Sequence, residues 1–314
     1  MDQQNNEPSA QLINSTVLDQ LDSQDPRIVK QAAENINDYL RMKLREDEIF
    51  ARILPPVPVS NDELDRQVDT DLPVKVLDKE PDSPGAITVP FASLPENRYI
   101  YGPRYRVMFD RVLTPRFTAD VDKLRTYDMD IRQVLSDNAL KDMMAETDGK
   151  FLRTVNQLLL GVGVTIPETG AVQWLQISGG ITRENIAEAM KVLPRTNKRI
   201  NVATVLINQV SIWDVVKFTR EEIGGDMSQR LFEQGFTEDQ IMGKRWIVTI
   251  KRDLVPDNTI FLFAEPKFLG KYLILEDTTM YIERKAYFLE FFAYKTAGAS
   301  IGNVAAVARV DYTP

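Results

Sequence analysis

Apolar side chains recur every four residues in two stretches of the chain, and this spacing predicts two long helices. The first starts at Asp25, a suitable N-cap, and Pro26, and fades between Glu46 and Ile53 before the following prolines. Its apolar positions are Ile28, Ala32, Ile36 and Leu40. The second covers about 30 residues, roughly 45 Å, and ends at two glycines. Its apolar positions are Ile131, Leu135, Ala139, Met143, Phe151, Val155 and Leu159.

Prolines recur throughout residues 55–115 and exclude any long helix there. Between them lie short runs rich in β-branched and aromatic residues, which are typical of strands. This composition predicts an ordered, extended projection rather than a disordered loop. The predicted strands are Val74–Leu77, Ala86–Val89, Tyr99–Tyr101 and Tyr105–Phe109.

The rest of the chain alternates between strand and helix patterns and then becomes rich in strands, which indicates an α+β fold. Two further helices are predicted, one capped by Thr182 and running to Val192, and one starting at Ser211. The predicted strands are Val172–Ile177, Val202–Ile207, 246–250, 260–264, Tyr272–Leu275, Met280–Ile282, Ala286–Tyr294 and Ala305–Tyr312.

Composition narrows the possible chemistry. The 314 residues include no cysteine and no histidine. This removes disulfides, thiolate nucleophiles, zinc sites of the usual kinds and imidazole acid–base catalysis. The formal net charge of −8 argues against a dedicated nucleic-acid-binding protein. We therefore expect a structural protein rather than an enzyme, with no cofactor.

Charge is divided sharply within the proline-rich projection. Residues 62–82 carry a net charge of −5, whereas residues 98–116 carry +4. Aromatic residues among these arginines would also suit nucleic acid. Because the two charged stretches are adjacent and nearly equal, we expect them to pair, in one subunit or between neighbouring subunits. The candidate intersubunit residues are Asp62, Glu63, Asp65, Asp69, Asp71, Arg98, Arg104, Arg106, Arg111 and Arg116.

Three Asp-x-Asp spacings offer an alternative, because such carboxylate pairs can hold a divalent cation. They lie at positions 69 and 71, 120 and 122, and 128 and 130. In an acidic chain such spacings arise easily by chance, and solvated or helix-capping carboxylates explain them better than a metal site does. A carboxylate- or metal-dependent enzyme is therefore the weaker interpretation, and we expect no catalytic or metal site.

Several stretches, taken in order, resemble a known family. Val205–Asn208 leading to Ser211–Val216 is similar to a strand, an Asn turn and a Trp-bearing helix of that family. Lys244–Val248 followed by Val255–Ile260 resembles a hairpin in the same domain. Tyr281–Lys285 and 295–310 resemble its closing strands. The family is the tailed-bacteriophage major capsid proteins of the Hong Kong 97 fold, and the resemblance covers about residues 85–314.

The resemblance implies four regions. An N-terminal arm takes residues 1–54, and an extended β loop takes residues 55–115. A peripheral domain with a long spine helix takes 116–165 and 280–300. An axial α/β domain takes 166–279 and 301–314. The implied function is self-assembly as hexamers and pentamers into an icosahedral phage head around double-stranded DNA; the same-fold alternative is an encapsulin-like compartment shell.

The same resemblance implies the partners and the location. Expected partners are further copies of the chain, a portal protein, a separate scaffolding protein, a cement or decoration protein as a further candidate, and packaged DNA without sequence-specific contact. No membrane is expected. A separate scaffold is expected because the first predicted helix covers only about three heptads. The expected location is the virion, in the phage head, after assembly in the host bacterial cytoplasm.

Some proteins of this fold join a loop lysine to a distant asparagine covalently. Lys75, Lys79 and Asn303 are residues of the right types. Lysines and asparagines are common, however, and no pattern in the sequence requires the bond. We expect no such cross-link.

Overall fold

The computed structural model describes residues 48–66, 71–81, 101–120, 131–216, 240–241 and 243–313, with isolated positions between 86 and 99. The predicted helix from Pro26 to Glu46 lies outside them. No helix of the described part is both long and apolar enough to cross a membrane. The helices are α1 (Ile49–Ile53), α2 (Ile131–Leu158), α3 (Arg183–Met190), α4 (Gln209–Val216) and α5 (Pro266–Leu269), with 3-10 turns at Asn61–Glu63 and Val304–Ala306.

The strands form two large sheets and two small ones. In chain order they are β1 (Pro56–Pro58), β2 (Val74–Asp78), β3 (Arg104–Met108), β4 (Asp110–Leu113), β5 (Phe117–Asp120), β6 (Thr165–Ile166), β7 (Ala171–Val172), β8 (Trp174–Ser178), β9 (Thr204–Asn208), β10 (Gln240–Ile241), β11 (Lys244–Thr249), β12 (Thr259–Phe263), β13 (Gly270–Lys285), β14 (Phe288–Ile301) and β15 (Val307–Thr313).

The long predicted helix is confirmed as α2, which has 28 residues and continues through Gly149. Its four-residue apolar repeat faces the protein interior, where Met143, Phe151 and Val155 are buried. The helix ends where Leu160 and Gly161 take positive φ values of 59° and 137°. Glycine tolerates this conformation without steric cost, so the predicted glycine terminus is also confirmed.

The five-stranded sheet has the order β1-β13-β14-β4, with β5 pairing further along β14. The strands predicted at Tyr272–Leu275 and Met280–Ile282 are one strand, β13, whose pairing shifts register between Ile274 and Thr279. The strand predicted from Ala286 instead begins at Phe288. Ala286 has a φ of 55° and forms the turn between the two strands.

Helix α2 covers one face of this sheet. Because side chains alternate along a strand, every second residue of β13 and β14 points at the helix. Met280, Leu289 and Phe291 thus pack with Leu140 of α2. A second cluster joins Ala293 of β14 and Val112 of β4 to Ala139 and Met143 of α2.

The six-stranded sheet has the order β10-β11-β9-β12-β15-β8. The hairpin expected from Lys244–Val248 and Val255–Ile260 is wrong, because β9 lies between these strands. β9 is parallel to β11 and antiparallel to β12. All five residues of β9 are buried, and pairing on both edges lets its apolar run lie in the middle of the sheet.

The largest hydrophobic core joins this sheet to α1, α2 and α3. Aromatic side chains connect its parts: the ring of Phe50 lies 4.3 Å from that of Phe151, which lies 5.6 Å from that of Phe263. Helix α3 is capped as predicted, since the Thr182 hydroxyl accepts a hydrogen bond from the Asn185 amide at 3.3 Å.

The extended loop contains an antiparallel hairpin in which β2 pairs with β3, from Val74 opposite Met108 to Asp78 opposite Arg104. Two of the four strands predicted there are thus confirmed. At the described positions Ala86, Thr88, Val89, Tyr99 and Tyr101 there is no strand. A short β-prone run needs a paired neighbour to persist, so the strand predictions at 86–89 and 99–101 are wrong at these positions.

Candidate assembly surfaces

A buried carboxylate on α2 holds the start of the described chain. Asp148 accepts hydrogen bonds from the backbone amides of Ile49, at 3.3 Å, and Phe50, at 2.9 Å. Its carboxylate also lies 2.7 Å from the ammonium group of Lys251. Asp148 is 1% exposed. Its charge is therefore balanced by a cation and by the first amides of α1, which carry partial positive charge.

A second buried ion pair lies where residues 48–50 contact α2, a region that we call the junction. Glu48 pairs with Lys295 of β14 at 3.4 Å, and both side chains are almost fully buried. Glu48 also accepts a hydrogen bond from the Tyr272 hydroxyl at 3.0 Å. Burial, and then the charge of Glu48, raise the pKa of the Tyr272 phenol well above its usual range. Residues 48–50 are thus tied to α2, β13 and β14 together.

The hairpin of the extended loop carries a different kind of ion pair. Arg104 and Asp78 lie 3.0 Å apart, but their side chains are 72% and 82% exposed. Just beyond the end of β2, at the end of the hairpin away from β4, Lys79 lies 3.5 Å from Glu168, in the turn that follows β6. Solvent screens exposed pairs, so they add little to the stability of one subunit. Such charges are accessible to a partner.

The acidic candidates that the structure describes are exposed and lie around the loop base. Asp62 and Glu63 form a 3-10 turn after β1. Asp65 accepts a hydrogen bond from the Val76 amide at 2.7 Å, and its backbone bridges to Val74. Asp71 comes two residues before Pro73, whose carbonyl accepts from the Phe109 amide. Asp69 lies outside the described residues.

The structure divides the basic candidates into two groups. Arg104 and Arg106 lie on β3 of the hairpin. Arg111, on β4, lies over the ring of Tyr294 at 5.3 Å, and Arg116, just before β5, lies over Phe292 at 5.4 Å. All four are exposed, and Arg98 lies outside the described residues. Their contacts with another subunit stay a prediction.

Within the described residues, no group of three or more acidic side chains is placed to hold a metal ion. Asp71 and Asp120 are the described members of the Asp-x-Asp spacings. Asp69, Asp122, Asp128 and Asp130 lie outside the described part. In the part of the chain that the structure describes, neither Asp71 nor Asp120 therefore has its partner from the Asp-x-Asp spacing beside it.

Comparison with known proteins gives a result at the level of structure. No family profile and no curated protein sequence matches the chain. A virus-like particle of Pyrococcus furiosus matches over 88% of this chain and 98% of its own, with a TM-score of 0.58 and 12% identity. The capsid of cyanophage P-SCSP1u matches over 86% and 89%, with a TM-score of 0.60 and 12% identity. The mature capsid of bacteriophage PhiM1 matches over 85% and 87%, with a TM-score of 0.58 and 8% identity.

The chain has the Hong Kong 97 fold. The assignment of α2 as a spine helix and of the β2–β3 hairpin to an extended loop stays a prediction. The fold predicted from the order of elements is confirmed by tailed-phage capsid structures that match most of the chain. Sequence identity of 8–12% explains why the likeness is visible in the structure and not in sequence comparison.

Sequence reasoning missed the buried junction of this capsid fold. A signal was present, because Asp148 interrupts an apolar stripe formed by Met144, Phe151 and Val155 at spacings of three and four. Lys295 likewise follows Leu289, Phe291 and Ala293 on the inward face of β14. A charge on an apolar face predicts a buried partner, but the sequence does not say which residue supplies it.

Proposed function

We propose that the chain is a major capsid protein that assembles as hexamers and pentamers into the icosahedral head of a tailed phage around double-stranded DNA. The observation that carries this proposal is the extent of the structural match. It covers 85–88% of this chain and 87–98% of the three matching chains, all of which come from virus-like particles or capsids. The match thus includes nearly the whole of each shell-forming subunit.

Exposed apolar side chains on the extended loop also support assembly. Phe91, Leu94, Tyr99 and Tyr101 are between 82% and 106% exposed. Large apolar side chains gathered on a projection are costly to leave in water and often mark contacts with other chains. A neighbouring subunit that covers them would remove this cost.

The two sheets support a division into domains. We propose an arm of residues 1–54, an extended loop of 55–115, a peripheral domain of 116–165 and 280–300, and an axial domain of 166–279 and 301–314. Every strand of the six-stranded sheet lies within residues 174–263 or 307–313, inside the proposed axial domain. The distal half of the β13–β14 hairpin packs on the spine helix α2. The proposed peripheral domain therefore has a core of its own.

A structural role fits the partners and location that we propose. These are further copies of the chain, a portal protein, a separate scaffolding protein, a cement protein as a further candidate, and packaged DNA, all in the phage head. The net charge of −8 suits a container wall, because an acidic wall does not trap DNA by releasing counterions. We propose no catalytic activity and no cofactor.

We further propose that the subunits are not covalently cross-linked. The Lys75 ammonium donates to the Glu63 carbonyl, and Lys79 pairs with Glu168. The Asn303 side chain accepts from the Ala305 amide at 3.1 Å. Each candidate is thus engaged within its own chain. A denaturing gel of assembled particles should show a single band near 35.8 kDa; a ladder of heavier bands would contradict this.

The match to the Pyrococcus furiosus virus-like particle favours a second candidate, an encapsulin-like compartment shell, because it includes 98% of that chain. The two functions differ in what the shell encloses. Negative-stain microscopy of the purified protein should show closed shells in either case, and nuclease-protected double-stranded DNA in particles from infected cells identifies the phage head. Discrete small oligomers would contradict both.

A further inference from the structure

The two edges of the five-stranded sheet carry opposite charge. β1 forms one edge and β4 the other, with β13 and β14 between them. Adjacent strands lie about 4.8 Å apart, so β1 and β4 are separated by about 14 Å. The chain leaves the β1 edge into the turn that holds Asp62 and Glu63. Arg111 and Arg116 lie on or beside the opposite edge.

The arginines of the β4 edge are held by aromatic rings. Thr296 lies opposite Arg111 and Tyr294 opposite Leu113, so these four residues share the face that points away from α2. Arg111 lies over Tyr294 and Arg116 over Phe292. A guanidinium that stacks on a ring keeps its N–H donors at its rim, oriented for a carboxylate.

Nearby carboxylates are already engaged within the subunit. Glu276 accepts from the hydroxyl of Tyr294 at 2.9 Å and from that of Thr296 at 3.3 Å. Asp110 lies 3.9 Å from Lys150, and Glu290 lies 2.8 Å from Lys285. Among the described residues we see no ion pair between a carboxylate and Arg111 or Arg116.

The β1 edge carries the complementary charge. Asp62, Glu63 and Asp65 are exposed together with Arg66, which leaves two net negative charges. The carboxylate of Asp65 is used by the Val76 amide. Asp71 lies outside this turn, two residues before Pro73, whose carbonyl accepts from the Phe109 amide. The Glu63 carboxylate accepts from the Ser60 amide through one oxygen only, at 3.4 Å, and is exposed. Asp62 and the second oxygen of Glu63 therefore form the acidic surface of this edge.

We propose that Arg111 and Arg116 of one copy bind Asp62 and Glu63 of a second copy. This rests on the proposed function and names a contact within the capsomer. Since the two surfaces lie on opposite edges of one sheet, each subunit offers one to each neighbour. Such a head-to-tail contact repeats in one direction, and it closes into a ring when the rotation between subunits allows it.

Charge exchange tests the contact. Arg111→Glu with Arg116→Glu should leave the subunit folded, by circular dichroism and melting temperature, and raise the protein concentration needed for assembly at least about tenfold, which equals about 1.4 kcal/mol. Asp62→Arg with Glu63→Arg should have the same effect. The variant with all four changes should assemble again, because the attraction is restored with its direction reversed.

The control is Arg183→Glu with Lys191→Glu, which makes the same change in net charge beside α3, where both side chains are exposed. It should assemble like the wild type. If the wild type forms shells and the Arg111→Glu, Arg116→Glu variant assembles equally well, the proposed contact is wrong, but the proposed function is unaffected. Failure of the combined variant to regain assembly would also overturn it. A wild-type protein that forms no shell would contradict the proposed function itself.

Discussion

The junction at the start of the described chain and the hairpin of the extended loop both contain ion pairs, but in opposite surroundings. At the junction, Asp148 is 1% exposed and lies 2.7 Å from Lys251. On the hairpin, Asp78 is 82% exposed and lies 3.0 Å from Arg104. The distances are similar, yet the energetic consequences differ because a buried charge that loses its partner has no water to replace it. Buried pairs thus hold one subunit together, whereas exposed charges can serve contacts between subunits.

The largest effect should come from breaking the junction. Asp148→Ala removes the acceptor for two backbone amides and the partner of Lys251. We expect a loss of about 3 kcal/mol in the free energy of unfolding, measured by urea denaturation. Asp142→Ala, on an exposed position of the same helix, should change it by less than about 0.5 kcal/mol. Equal effects of the two changes would contradict the distinction between buried and exposed charges.

A smaller effect is expected where the loop base crosses β14. A Cβ added to Gly298 would lie 2.7 Å from the Met108 carbonyl oxygen and 2.9 Å from a methyl carbon of Val107. Gly298→Ala should therefore cost about 2 kcal/mol of stability through overpacking. Gly102→Ala is the control, because a Cβ there meets nothing within 4 Å. If both variants melt at the wild-type temperature, the close approach is not part of the folded state.

Burial also predicts a pH effect. Burial raises the pKa of Tyr312 well above its ordinary value of 10.0. The folded state therefore keeps a proton that the unfolded state loses, so this contribution is present below pH 10 and is lost as the pH rises above it. We expect the free energy of unfolding of the wild type, measured relative to that of a Tyr312→Phe variant, to fall by about 1.4 kcal/mol for each pH unit above 10. Parallel curves for the two proteins would refute a raised pKa.

The smallest effect on stability should come from the hairpin. Arg104→Glu with Arg106→Glu changes exposed positions and should cost less than about 1 kcal/mol, because solvent screens these charges. Shell assembly should nevertheless be impaired, because the lost contact is repeated in every subunit. Normal shells from this variant would mean that the hairpin arginines make no contact that assembly needs.

Periodicity predicted the elements whose pattern matches their burial. The apolar repeat of α2 and the apolar run Val205–Ile207 of β9 are confirmed because these side chains are buried in hydrophobic clusters. The strand order was missed, because pairing of β9 between β11 and β12 depends on contacts distant in sequence. The turn at Ala286 was missed because an alanine with a φ of 55° carries no local turn signal.

The candidate surfaces were predicted less completely than the helices and strands. Charge along the chain predicted which residues are exposed and acidic or basic, such as Asp62 and Arg104. It could not predict that Arg111 lies over Tyr294, because this depends on how β4 pairs with β14. The partners of Asp148 and Glu48 were likewise inaccessible, since they lie about 100 and 250 residues away along the chain.

A cryo-electron microscopy reconstruction of the assembled particle tests the central claim most directly. It should show a closed icosahedral shell of hexamers and pentamers. In it, Glu48 and Asp148 should keep their partners within each subunit, while Arg111 and Arg116 face Asp62 and Glu63 of the neighbour. Purified protein that forms only discrete small oligomers, or a shell in which these exposed charges face solvent and the buried pairs are broken, would contradict the account.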